Sequence, residues 1–333
     1  MAVRVIQVGL GPIGERVLCQ VIERQGFEAV AAVDVDPEKV GRDVGELLGL
    51  EGGRGLAVQG DLAATLASTA ADVVALCTTS SLGSIMSDME TILGARLPVV
   101  STTETLSYPH FAQPELSRRL DELAQIAGVA VVGTGVNPGF AMDTIPIVLT
   151  AACRNVDSIE VDRLQDASPR RLPFQQKIGA GLAEDLFRDM VSRGELGHVG
   201  LGESIAMVAA AMGWKLDRIT DIVEPKIAEE DVSSNDVLVK KGQASGIIQD
   251  GTGYCDGEPL IKMHMEAYLG APETVDTVRV FGSPNLTSTI KGIEGDVATA
   301  SVAVNAIPKA LVAKPGLRTM GDLPIVSWWG GGS

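Results

Sequence analysis

Apolar residues follow two rhythms along this chain, and the change between them falls near Val156. In the first half, short and mostly apolar runs alternate with helical patterns. The runs are Val3–Val8, Ala29–Val33, Asp72–Cys77, Pro98–Ser101 and Val129–Gly133. Strands buried on both faces of a parallel sheet need such runs, because neither face meets water. Between them, Val17, Leu18, Val21 and Ile22 recur at helical spacing, and helices are predicted over Ser84–Leu93, Pro114–Ala127 and Asp143–Ala151. A short helix is expected in Pro37–Glu46, and another starting at Asp61.

From Val156 onward the pattern alternates with period two, as strands with one wet face do; Ser158-Ile159-Glu160-Val161-Asp162-Arg163 is the clearest case. Helical patterns near Phe174–Val191 and Glu203–Met212 precede expected strands at Ile219–Ala228, Val237–Gln249, Leu260–Tyr268, Val275–Phe281 and Thr287–Lys291. Asp250-Gly251-Thr252-Gly253 and Asp256-Gly257 read as turns. Gly295–Val312 is helical again, with Ala300, Val304 and Ile307 on one face, followed by a tail containing Pro315-Gly316. The repeated strand-then-helix order predicts an α/β fold: a Rossmann-type doubly wound parallel sheet followed by a second α+β domain of mixed sheet. The expected boundaries are 1–152 for a dinucleotide-binding domain and 153–293 for a substrate and dimerisation domain. Residues 294–333 form a helix and tail returning to the first domain.

Composition narrows the function classes. The 333 residues are 45% hydrophobic with a formal charge of −16, which suits a water-soluble globular chain and disfavours nucleic acid, whose recognition needs a basic face. No apolar run approaches the length of a membrane span, and the first strand begins by residue 3, so a cytoplasmic location is expected. Cys19, Cys77, Cys153 and Cys255 are scattered, as are His110, His198 and His264. Neither a disulfide framework nor a metal site is indicated.

The candidate chemistry begins at Val8-Gly9-Leu10-Gly11-Pro12-Ile13-Gly14, directly after the first apolar run and directly before the first helix. In that context Gly9 allows a tight turn, Gly11 lets backbone approach a pyrophosphate, and Gly14 allows close packing of the helix on the strand. Asp34 ends the second run, where an acid meets the adenosine ribose. Its carboxylate favours NAD, while Lys39 and Arg42 keep NADP open. Thr78-Thr79-Ser80-Ser81 follows the third run, at a strand end where a dinucleotide passes; the same residues also serve in ordinary turns and caps. Glu104 lies just past the fourth run and Asn137-Pro138-Gly139-Phe140 just past the fifth.

Four segments carry a family resemblance: Val8–Gly14, Ser101-Thr102-Thr103-Glu104, Gly133–Phe140, and Val304-Asn305-Ala306-Ile307-Pro308 with Pro315-Gly316-Leu317. With them the chain resembles the 2,4-diaminopentanoate dehydrogenase and native amine dehydrogenase family, whose first domain is similar to that of dihydrodipicolinate reductase. The resemblance implies reversible NAD(P)-dependent oxidative deamination of an amine to a ketone and ammonia, with Glu104 as acid/base. It implies cofactor contacts from Gly9, Gly11, Pro12, Ile13, Gly14, Asp34, Thr78, Thr79, Asn137, Pro138 and Asn305. Phe140, Met142 and Arg163 are candidate substrate residues, and Arg170, Arg171 and Lys177 are further cations that could hold a substrate carboxylate. A homodimer through the second domain's sheet is expected. The alternative is an NAD(P)-dependent reductase of another C=O or C=N substrate, though no paired-histidine or Lys-x-x-x-Pro-Ser-Gly-Thr-like segment of dihydrodipicolinate reductase is found.

The residues support that chemistry on their own terms. Reductive amination must deprotonate ammonia, protonate a carbinolamine so that water leaves, and stabilise a cationic imine, and one carboxylate can serve all three. Glu104 is the acid of the first domain placed to do so. The plain alternative is a helix-capping or surface glutamate.

Overall fold

The computed structural model describes residues 2–330. It divides into two compact units, Met1–Phe140 with Gly295–Ser333, and Ala141–Glu294. The first begins with β1 (Val3–Val8), α1 (Pro12–Glu23), β2 (Phe27–Val33), α2 (Val44–Leu47) and α3 (Leu62–Ser68). It continues with β3 (Val73–Leu76), α4 (Leu82–Gly94), β4 (Val99–Ser101), a single 3₁₀ turn at Glu104–Leu106, α5 (Pro114–Ala127) and β5 (Ala130–Gly133). Local sequence sets these limits. Pro114 opens α5 at its first position, where a missing N–H costs nothing, and Gly128 closes it in the left-handed conformation at φ 77°. Asp61 caps α3 by accepting from Ala64 N at 3.0 Å. The helix expected across Pro37–Glu46 shrinks to α2, because Gly41 takes φ 84° and donates to Val58 O instead of continuing a helix.

The second unit runs α6 (Thr144–Thr150), β6 (Asn155–Asp166), α7 (Leu172–Lys177), α8 (Glu184–Ser192), α9 (Leu201–Met212) and β7 (Arg218–Ile227). Then come β8 (Val232–Ser233), β9 (Leu238–Val239), β10 (Ala244–Cys255), β11 (Glu258–Tyr268), β12 (Val275–Ser283) and β13 (Leu286–Lys291). Six of these strands form a mixed sheet in the order β13-β12-β6-β11-β10-β7. Helix α6 groups with this unit, so the division falls after Phe140 rather than after 152. Gly179 and Gly181, at φ 72° and 87°, divide the expected Phe174–Val191 helix into α7 and α8.

One segment reverses its expected role. Asp250-Gly251-Thr252-Gly253 is not a turn but the middle of β10, paired on both sides, and the hairpin turns at Asp256-Gly257 instead. The glycines serve packing. A β-carbon on Gly251 would stand 2.8 Å from both Leu201 and Ile205 of α9, and one on Gly253 would stand 2.6 Å from Ile205. Their absence lets α9 lie directly on the sheet.

The chain then adds α10 (Gly295–Ala310) and β14 (Gly316–Arg318) to the first unit. The tail thus contains a strand, pairing parallel with β5 and completing the order β14-β5-β4-β3-β1-β2. Helices cover both faces. Ile6, Val74 and Val131 point into a core closed by Leu82, Ile85, Met89 and Ile92 of α4 and Leu120 and Ala124 of α5. Helices α1 and α10 pack together on the other face, where Gln20 donates to Ser301 at 3.0 Å. No helix among the described residues is long and apolar enough to cross a membrane.

Candidate active site

The parallel order places the carboxyl ends of β1 and β3 side by side while β2 lies beyond β1, which makes the β1/β3 edge the switch point of the sheet. Gly9 turns the chain there at φ 85°, and a β-carbon on it would stand 2.5 Å from Cys77 O, just past β3. A β-carbon on Gly14 would stand 2.0 Å from Gly9 O, so α1 rests directly on the turn. Gly11 is different: a β-carbon on it meets nothing within 4 Å. It is the N-cap of α1, with Pro12 at the first helical position, and the N–H groups of Ile13 and Gly14 belong to the first turn, which has no intrahelical acceptors. An open backbone ledge at a positive helix end fits a dinucleotide pyrophosphate.

Asp34 sits at the end of β2 and ties this loop down, accepting from Leu10 N at 2.7 Å through one carboxylate oxygen and from Asp36 N at 2.9 Å through the other. Lys39 donates to Leu10 O at 2.8 Å and stands 3.7 Å from Asp34 Oδ2. An acid and a cation therefore share the place where the ribose of a bound dinucleotide belongs.

Thr78 and Thr79 follow β3, and Glu104 is the first residue of the 3₁₀ turn beyond β4, half-buried. Its two neighbours hold it. Thr103 donates its hydroxyl to Thr79 O at 2.7 Å, and Thr105 reaches Ser80 O through both its N–H, at 3.1 Å, and its hydroxyl, at 3.0 Å. Leu82 N donates to Thr105 Oγ1 at 2.7 Å, tying the start of α4 to the same knot. From below, a β-carbon on Gly133 would stand 2.5 Å from Leu106 C and 2.7 Å from Ser107 N, so β5 ends in contact with the turn's backbone. Thr103 and Gly133 lie in segments that carry the family resemblance but were given no role of their own there, and Thr105 lies just beyond one. Thr103 and Thr105 flanking an acid after an apolar run are its only sequence signal.

Beyond β5, Asn137 is 7% exposed, its bond to Pro138 is cis, and Gly139 adopts φ 125° against Gly135 and Thr134. Helix α10 supports this loop, with Thr299 Oγ1 accepting from Val136 N at 3.4 Å. The loop, the glutamate turn, the Thr78-Thr79 segment and the glycine ledge all stand at the carboxyl edge of one sheet. Phe140, half-buried, closes the first unit's main segment.

Asn305 is not brought to that edge. It lies on α10, where its Oδ1 accepts from Arg24 Nη2 at 2.7 Å and Trp329 N at 3.2 Å. Arg24 caps the carboxyl end of α1, a 12-residue helix whose other end is the glycine ledge. At 1.5 Å rise per residue that is roughly 18 Å away. Arg24 also donates to Trp329 O, and Trp329 packs edge-on to Phe27 with ring centroids 4.7 Å apart. Asn305 thus anchors the C-terminal tail to the base of the first unit.

In the second unit Met142 is fully buried, and Arg163 is 2% exposed in an ion pair with Asp276 at 2.6 Å. Burial pushes the Arg163 guanidinium's pKa down and the Asp276 carboxyl's up, each opposed by the attraction of the other. The Arg163 charge is met by Asp276 and does not remain for a substrate carboxylate. Arg170 lies over the Phe174 ring at 3.9 Å, beside α7, which carries Lys177.

This sheet edge and the mixed-sheet unit that follows define a two-domain oxidoreductase built on a nicotinamide-dinucleotide fold. Residues 3–133 match the dihydrodipicolinate reductase N-terminus, and residues 140–332 match the 2,4-diaminopentanoate dehydrogenase C-terminal domain. The chain belongs to the 2,4-diaminopentanoate dehydrogenase family. It is 35% identical to a 2,4-diaminopentanoate dehydrogenase of Acetoanaerobium sticklandii, over 97% of this chain and 94% of that one. An amine dehydrogenase of Streptomyces virginiae is 24% identical over 95% of each. The solved amine dehydrogenase of Mycobacterium smegmatis shares the fold, with a TM-score of 0.89 at 23% identity, covering 99% of this chain and 98% of that one.

Proposed function

We propose that this chain catalyses the reversible oxidative deamination of an amine: amine, NAD(P)⁺ and water give ketone, ammonium and NAD(P)H. The bound nicotinamide supplies hydride transfer; the chain's residues orient the reacting carbon and handle protons. Glu104 is the acid/base. The observation that supports this is the knot of Thr103 and Thr105 on Thr79 and Ser80, which holds the backbone on both sides of Glu104 at the sheet edge that also bears the open Gly11 ledge. In the amination direction Glu104 takes a proton from ammonium, returns one to the departing hydroxyl of the carbinolamine, and as carboxylate stabilises the cationic imine. The decisive measurement is ketone-dependent oxidation of NAD(P)H with and without ammonium. Consumption should vanish without ammonium, and an unchanged rate would leave the reductase of another C=O or C=N substrate as the reading.

The cofactor reading is NAD or NADP, with Asp34 for the ribose hydroxyls and Lys39 at hand for a 2′-phosphate. We also propose a homodimer through the open face of the mixed sheet. Along β6, β10, β11 and β12 the inward residues are buried, while Leu164, Ile248, Tyr254, Tyr268, Thr277 and Phe281 face outward. The charges among them are paired: Lys262 with Glu160 at 3.2 Å, Lys226 with Glu266 at 2.8 Å, and Arg279 with Asp162. A surface with these apolar residues, whose lysines and arginine are each paired with a carboxylate, suits burial against a second copy. Light scattering should give twice the mass of the chain.

A further inference from the structure

Two peptide units make the turn after β1, Gly9–Leu10 and Leu10–Gly11, and a glycine in each leaves both planes easy to rotate. Three side chains hold them. Gln7, fully buried, donates from Nε2 to Gly9 O at 2.9 Å and, at 3.4 Å, to Val8 O. In a trans peptide the C=O and N–H point to opposite sides, and the N–H of the Gly9–Leu10 unit goes to Asp34 Oδ2 at 2.7 Å. The carbonyl of the Leu10–Gly11 unit accepts from Lys39 Nζ at 2.8 Å, and that ammonium lies 3.7 Å from Asp34 Oδ2 and 3.9 Å from Asp36 Oδ2. The N–H of this second unit, on Gly11, makes no hydrogen bond among the described residues, and a β-carbon on Gly11 meets nothing within 4 Å.

We propose that Gln7 and Lys39 are positioning residues for the cofactor's pyrophosphate, an inference that rests on the nicotinamide-dinucleotide reading of the site. A carbonyl aimed at the ledge would repel an anion, whereas an N–H aimed at it binds one. Gln7 holds Gly9 O towards the core and Lys39 holds Leu10 O towards the residues that follow β2, so both carbonyls are kept off the ledge. The second brace does more: it turns the Gly11 N–H away from Lys39, to join the first-turn N–H groups of Ile13 and Gly14. Lys39 also stands where a 2′-phosphate could recruit it, and the two roles differ in which cofactor they affect. A brace on the ledge serves NAD and NADP alike, because both carry the same pyrophosphate. A reader of the 2′-phosphate serves NADP alone.

The test uses the full-length enzyme, after fluorescence titration has shown that the wild type binds NADH or NADPH; if it binds neither, the cofactor reading fails first and separately. Lys39→Met keeps the length of a partly exposed side chain and removes the ammonium. It should raise the Kd of whichever cofactors bind by about five- to tenfold, the effect of one lost hydrogen bond. ADP-ribose, which has the pyrophosphate and no 2′-phosphate, should lose as much, while adenosine, which lacks the pyrophosphate, should stay within twofold. The loss should fall on cofactor affinity, with kcat at saturating cofactor within twofold, and Lys39→Arg, which can still donate to Leu10 O, should recover most of it. Gln7→Met, similar in shape but without the donor, should weaken ADP-ribose in the same way. An unchanged ADP-ribose affinity in Lys39→Met, with any loss confined to NADPH, would make Lys39 a 2′-phosphate reader and overturn its part; an unchanged affinity in Gln7→Met would overturn the other. A parallel loss for adenosine would place the effect at the ribose and sink the proposal.

Discussion

At the residue scale, Asp34 and Glu104 are the two carboxylates to which we assign opposite tasks, one towards the cofactor and one towards the chemistry. Asp34 uses both oxygens on backbone N–H groups, from Leu10 and Asp36, so it is built into the loop in addition to the ribose role proposed for it. Asp34→Ser should therefore move selectivity from NAD towards NADP by removing the charge that repels a 2′-phosphate beside Lys39, and should also loosen the glycine loop and weaken both cofactors. The ratio of kcat/KM for the two cofactors measures the first effect, and an unchanged ratio would show that Asp34 does not face the ribose. For Glu104, replacement by Gln preserves size and removes the ionisable group. Cofactor binding should survive while amination falls by about 100-fold or more, the contribution of a general acid/base. The loss should fall on kcat more than on ketone KM, because the proton transfers and the imine charge arise only along the reaction path. Near-normal turnover at saturating ammonium would remove Glu104 from the chemistry.

At the scale of elements, the site depends on close approaches between backbones, and these test how the turn is held. Gly133→Ala would force apart β5 and the glutamate turn, because its β-carbon would stand 2.5 Å from a main-chain carbon that cannot rotate away. A displacement near 1 Å at a catalytic group costs on the order of 100-fold in rate. The variant should fold and bind cofactor at the glycine ledge yet lose turnover; full activity would mean that β5 does not position the turn. The same contrast separates what could be read in the sequence from what could not. Gly9, Gly11 and Gly14 were legible because their spacing, the strand before and the helix after all express one local geometry. The packing roles of Gly133, Gly251 and Gly253 were not, since each is small on account of a neighbour distant in the chain: Leu106 for the first, Leu201 and Ile205 for the others. Asp250–Gly253 consequently looked like a turn. Asn305 looked like a site residue because it sits in a family motif, whereas Arg24 and Trp329, which it binds, lie 281 and 24 positions away. β14, three residues after a proline and paired only with β5, was too short to show a period.

At the scale of the whole molecule, a chain of formal charge −16 has to bring two copies together if it is to dimerise through its open sheet face, and His264 sits among the charges of that face. On β11 its Nδ1 lies 2.8 Å from Asp250 of β10 and its Nε2 lies 3.2 Å from Glu266, which also holds Lys226 of β7 at 2.8 Å. Across the same face stand Lys262, paired with Glu160, and Arg279, paired with Asp162. Burial alone would lower the His264 pKa, but the hydrogen bonds and charges of Asp250 and Glu266 outweigh it and raise the value above the ordinary 6.5. A histidine whose folded pKa lies above its unfolded one adds stability that is fully present below about pH 6.5 and fades as pH rises through the folded value. The protonated ring also cancels one carboxylate, so its loss leaves excess negative charge on the face that two copies would share. Thermal stability and dimer affinity should both decline from pH 6 towards pH 9, more steeply at low salt, where the carboxylates are less screened. His264→Gln keeps hydrogen bonding without a titratable charge and should flatten the pH dependence of both while leaving turnover at saturating substrate unchanged. Parallel pH profiles for variant and wild type, in Tm and in dimer mass by sedimentation, would assign the pH dependence to other groups and remove His264 from the interface.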